Sequence, residues 1–151
     1  MNEHMVTAKK FADELLDKAQ GLLCRDGYLA STIFAVKEND VIPVLLHIKT
    51  DEDKDAVPGI LRSLTKDSEY IVLISDSFIK PLEEGEIAPP SPSECSDAIE
   101  AIICFLYLRG ETHVRKMSYI KKGTMQYNFF DQGWELVIGE NFNSRFANPY
   151  D

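Results

Sequence analysis

AIEAIICFLYLRG, residues 98–110, reads either as a helix or as a strand, and the fold turns on which. Ile99, Ile102, Ile103 and Leu106 fall at helical spacing, and Ser93 and Ser96 upstream are residue types that cap helices. Against this, the run is dense in Ile and aromatic side chains, whose shape suits a pleated sheet better than a helical turn. The reading adopted is a strand. Its counterpart is YIVLISDSF, residues 70–78, apolar at odd and even positions alike, as a central strand covered on both faces requires.

Between them runs PLEEGEIAPPSPSECSD, residues 81–97, with four prolines and five carboxylates. A connector this long in a compact domain is usually functional or disordered. Pro89, Pro90 and Pro92 favour an extended chain. Glu94, Cys95 and Asp97 then stand just before a strand expected to be rigid, so the end of the connector is the place to look for a site.

Outward toward the N-terminus, Met5–Leu23 is expected to be an amphipathic helix. Ala8, Phe11, Ala12, Leu15, Leu16, Ala19, Leu22 and Leu23 recur at three- and four-residue steps, with Thr7 as a candidate N-cap and Gly27 as the stop. Leu29–Lys37 and Val41–Ile48 read as a hairpin turning at Glu38–Asp40. Pro43 lacks an N–H for the ladder and belongs at an edge or bulge. A second helix is expected to begin near Asp53 or Asp55, because Pro58 is tolerated only in a first turn, and to end near Lys66. Val57, Ile60, Leu61 and Leu64 would face the core. Residues 112–138 supply two strands and room for a third, with Lys122-Gly123 as a tight turn. Phe142, Phe146 and Tyr150 in the tail are candidates to pin it to the body.

The fold class that follows is α+β: a leading helix, a hairpin, a second helix, then a mainly antiparallel mixed sheet of five to six strands with helices on one side. All 151 residues fit one domain. The run from DGYLASTIFAV through YIVLISDSF to PSPSECSDAIEAIICFLYLRG resembles a family of small uncharacterised prokaryotic α+β proteins. There too a leading helix is followed by DG and a strand, and a Pro-Ser-acid loop precedes a later strand. The resemblance implies the same fold class and a cytoplasmic setting, and no chemistry.

A net charge of −9 repels phosphate backbones, so nucleic acid is not an expected partner. No apolar run approaches the roughly 18 residues of a membrane span, and no signal-peptide core is present, so a cytoplasmic protein is expected. Cys24, Cys95 and Cys104 are odd in number and lack CxxC spacing, which fits a reducing compartment. GxGxxG, Walker, HExxH and GxSxG patterns are absent, and His4, His47 and His113 are too scattered to specify a metal site. No cofactor or metal is expected.

Two function classes remain. The first is a binding domain that self-associates as a homodimer or takes a protein partner. Its surface would be the connector and the basic stretch from Arg109 to Lys122, where five Lys/Arg face one acid. There Arg109, Arg115, Tyr119 and Lys121 are the candidate ligand-binding residues, and Arg115, Met117, Tyr119 and Lys121 would share one face of a strand. Acidic connector against basic hairpin would give a dimer weakened by salt. The second class is a small hydrolase or transferase using Cys95, Glu94, Asp97 or Asp76, with His47 or His113 as base.

Overall fold

The computed structural model describes residues 3–38, 40–79, 99–123, 126–137 and 147–150. In chain order these form α1 (Glu3–Asp26), β1 (Thr32–Lys37), β2 (Asp40–Leu45), α2 (Asp51–Asp55), α3 (Val57–Leu64), a short 3₁₀ turn (Thr65–Asp67), β3 (Tyr70–Ile79), β4 (Ile99–Leu108), β5 (Glu111–Gly123) and β6 (Gln126–Leu136). The six strands make one sheet in the order β2-β1-β3-β4-β5-β6, antiparallel at every pairing. The fold is α+β, and residues 99–108 are a strand.

Why that strand imitates a helix is plain from its burial. Every residue from Ala101 to Leu108 is buried. Ile102, Cys104, Leu106 and Leu108 pack with α1, whereas Ala101, Ile103, Phe105 and Tyr107 pack with α3. β3 divides in the same way, with Tyr70, Val72 and Ile74 toward α1 and Ile71 and Leu73 toward α3. The helices therefore cover opposite faces, which corrects the expectation that they lie on one side. Two-sided burial removes the polar alternation that would have announced a strand.

α1 seats itself through Ala8, Ala12, Leu16, Ala19 and Leu23, each no more than 4% exposed. The alanines let the helix approach the sheet closely. Thr7 lies inside this helix rather than capping it, because the helix starts at Glu3. Gly27 ends it as expected: its φ of +79° is open to glycine at little cost, and its N–H donates to Leu23 O at 2.9 Å.

The second helix starts earlier than Pro58 suggested, at Asp51, because the segment is two helices and not one. Thr50 is its N-cap, its hydroxyl accepting from Asp53 N at 3.1 Å, while the Asp53 carboxylate accepts from Thr50 N at 3.0 Å and Lys49 N at 2.9 Å. This reciprocal box satisfies orphan donors of the first turn. The helix breaks at Ala56 because Pro58 has no N–H to offer the Lys54 carbonyl and its ring would clash there. α3 then begins with Pro58 in its first turn and buries Val57 and Leu61, with Ile60 and Leu64 packed beside them.

β4 and β5 are joined by the two residues Arg109-Gly110, Leu108 pairing with Glu111 and Gly110 taking a φ of +81°. Lys122 and Gly123 lie within β5 and not in a turn; the residues between Gly123 and Gln126 are outside those described. The C-terminal piece is clasped to this end of the sheet. Asn148 Nδ2 donates to Leu108 O at 2.7 Å and Glu111 O at 2.9 Å, and the Tyr150 hydroxyl meets Ser68 Oγ at 2.7 Å. Phe142 and Phe146 fall outside the described residues.

Candidate functional site

β1 pairs with β3 only as far as Ile74, so the remainder of β3 has β4 as its sole partner among the described strands. Asp76 lies in that remainder. It stands opposite Ile102, which packs with α1, so its carboxyl points to the α1 side. Glu100 precedes Ile102 by two residues and shares that side, as does Tyr119 on β5. The three meet: the Tyr119 hydroxyl lies 2.7 Å from Asp76 Oδ1 and in short contact with Glu100 Oε2. Tyr127 and Phe129 of β6 wall the group, their ring centroids 5.5 and 5.9 Å from that of Tyr119.

Burial pushes Asp76 above the ordinary carboxyl range; the Tyr119 bond opposes this and the Glu100 charge adds to it. The Tyr119 phenol is pushed up, by burial first and then by its bonds to Glu100 and Asp76. Glu100 escaped the sequence reading. Its one signal was that it is the single acid in a ten-residue strand otherwise free of charge.

Cys95, Glu94 and Asp97 lie outside the described residues. Asp76 is at the margin where the connector leaves the sheet, but His113 is not near it. His113 is buried on β5 opposite Leu106, its Nε2 3.0 Å from Glu111 Oε2, and the six residues to Tyr119 span about 20 Å of strand. His47 is exposed after β2.

Arg115 faces α1 as its parity with Met117 and Tyr119 required, and there it is engaged by protein carboxylates. Its guanidinium forks onto Asp131, with Nε 3.0 Å from Oδ1, and reaches Asp13 of α1. Trp134 Nε1 donates to the same Asp13 oxygen at 2.9 Å. The Arg115 fork holds Asp131 below the usual carboxylate range. Arg109 sits at the far turn, over the Tyr150 ring at 4.7 Å, and borders an open cleft with Met5, Ser68, Glu69 and Glu111. Lys121 is exposed two residues after Tyr119.

The opposite side of the β4–β6 corner is apolar and uncovered by the described residues. Ile99 shares the side of Ala101; Ala101 pairs with Ser118, and Ser118 with Phe130. Ile99, Ile120 and Phe130 are thus neighbours on one face, exposed by 40%, 58% and 52%.

Among the described residues no three His, Cys, Asp or Glu gather as metal ligands, and no helix is long and apolar enough to cross a membrane. No protein-family model matches the chain, and comparison with curated proteins and with solved structures yields no match.

Proposed function

We propose that this chain is a binding domain that pairs with a second copy of itself along the outer edge of β6. One observation carries the reading: β6 is a terminal strand of eleven residues that contains no Pro, Lys or Arg. Proteins usually blunt a free edge with such residues, because its unpaired N–H and C=O groups recruit other strands. The opposite edge, β2, is blunted by Pro43, and on β6 itself Asp131, Glu135 and the bulge at Gly133 confine the unblunted part to Gln126–Phe130.

The stretch Gln126–Phe130 is uncharged, and Phe130 and Ile120 are exposed beside it. Two copies related by a two-fold axis at Asn128 would join two sheets edge to edge. Directly opposed residues share a face, so Tyr127 of each copy would meet Phe129 of the other on the α1 side. Phe130 would be covered by Gln126 of the second copy. Added-strand pairing draws affinity from main-chain hydrogen bonds and specificity from such side-chain pairs.

The hydrolase or transferase reading has less support. The acid pair at Asp76 and the cleft at Arg109 lie at opposite ends of β3 and β4, so among the described residues no one cleft gathers both.

Sedimentation velocity across a micromolar concentration series tests the proposal. The wild-type chain is expected to shift from monomer to dimer, Phe130→Lys and Asn128→Pro to remain monomeric, and Ile42→Lys on β2 to behave as wild type. A wild-type chain that stays monomeric to high micromolar concentration overturns it.

A further inference from the structure

A phenol has one proton to give, yet the Tyr119 oxygen lies within hydrogen-bond distance of two carboxyl oxygens. It can donate to one of them. The other contact is a full two-centre hydrogen bond only if that carboxyl is itself protonated and donates to the phenol oxygen. With both carboxylates charged, one contact would set lone pair against lone pair, and two negative charges would flank one phenol oxygen. Among the described residues no Lys, Arg or His pairs with either acid.

We propose that Asp76, Tyr119 and Glu100 form a proton-binding site, filled from solvent in the folded chain and emptied to solvent as pH rises, which links protonation to the packing of β6. In the filled state the Asp76 carboxyl donates to the Tyr119 oxygen, and the Tyr119 hydroxyl donates to Glu100. Asp76 is the holder because it is half-buried whereas Glu100 is exposed: burial disfavours its charged form and the Glu100 charge reinforces this, while a phenol proton given to Asp76 would oppose it. The phenol keeps its own proton, being pushed up by burial and by the two acids.

Among the described residues the groups facing the site are few. β3 supplies Asp76 and β4 supplies Glu100. β5 supplies Tyr119 and the exposed Lys121, and β6 the Tyr127 ring. On α1, Gln20 reaches the Met117 sulfur, and the half-buried Cys24 lies one turn on. Emptying the site leaves two like charges about Tyr119, whose ring packs on Tyr127 and Phe129; the strain is thereby passed to β6.

The sign is fixed by the direction of the Asp76 shift. A carboxyl raised on folding contributes stability that is full below the ordinary carboxyl range and lost as pH rises through its folded value. The test is a carboxyl carbon NMR titration of the dilute wild-type chain, together with melting curves against pH for wild type, Asp76→Asn and Tyr119→Phe. One Asp signal is expected to titrate above the ordinary range and to be missing in Asp76→Asn. Asp76→Asn, whose amide still donates to Tyr119, is expected to melt higher than wild type at neutral pH and to lose the falling limb. Tyr119→Phe is expected to change the pH at which that signal titrates. All aspartates titrating at or below the ordinary range, or parallel melting profiles for wild type and Asp76→Asn, overturns the proposal. The titration needs no variant to fold, and dilution keeps it separate from self-association.

Discussion

Arg115 ties three elements with one side chain. Its fork holds Asp131 on β6 and reaches Asp13 on α1, and Trp134 fixes the same Asp13 oxygen. The carboxylates are partly exposed, so solvent screens the attraction. Arg115→Gln is expected to lower unfolding stability by about 1 kcal/mol, read as a drop in urea midpoint. It should also flatten the acid limb: Asp131 is depressed on folding, so its contribution is present above the ordinary carboxyl range and lost as pH falls through the folded value. An unchanged acid limb in the variant would show that the fork does not set that limb. Parity along β5 was enough to put Arg115, Met117 and Tyr119 on one face. That this face is covered by α1, and that the acid waiting there is Asp13, 102 residues away, is a non-local fact that no local pattern carries. Glu100 was hidden for the same reason: its partners lie on two other strands.

Turns and caps decide where elements stop, and here local chemistry was read with mixed success. Gly27 and Pro58 act as their backbone restrictions demand. The start of α2 was placed too late because Pro58 was taken to fix the first turn of a single helix, whereas Pro58 opens a separate helix, α3, and α2 is capped by the hydroxyl of Thr50. Thr50→Ala is expected to cost about 1 kcal/mol in chemical denaturation, and Thr50→Ser close to nothing. Equal losses in both would show that the box contributes little and that the threonine methyl matters instead. Gly133, with φ +73°, marks a bulge that was not foreseen. Arg115 pairs with Trp134 and Met117 with Asp131, so β6 spends one extra residue, and its amide donates to Asp131 at 2.9 Å. The bulge aims Asp131 at Arg115. Strand β4 was legible by composition alone, since burial on both faces had erased its periodicity.

At the scale of the molecule, the described residues cover the sheet on both faces and leave apolar side chains exposed at its two edge strands and at the β4–β6 corner. The element order and strand character were legible from composition and turn residues. The placement of the two helices on opposite faces was not, because it depends on which side of β3 each apolar residue points. The basic stretch Arg109–Lys122, expected to be a working surface, is mostly strand β5, which lies between β4 and β6; among the described strands β6 is the terminal one. Pairing along β6, as proposed, would reverse the expected effect of salt. The edge stretch Gln126–Phe130 is uncharged while each chain carries −9, so added salt screens repulsion and should hold or strengthen the dimer. The most direct measurement is amide hydrogen exchange along β6 at low and high protein concentration. The expected result is that alternate amides of residues 126–131, those directed away from β5, slow markedly at high concentration while the amides of β2 do not change. Exchange along β6 that is independent of concentration, in a chain shown to dimerise, would place the interface elsewhere and contradict pairing through this edge.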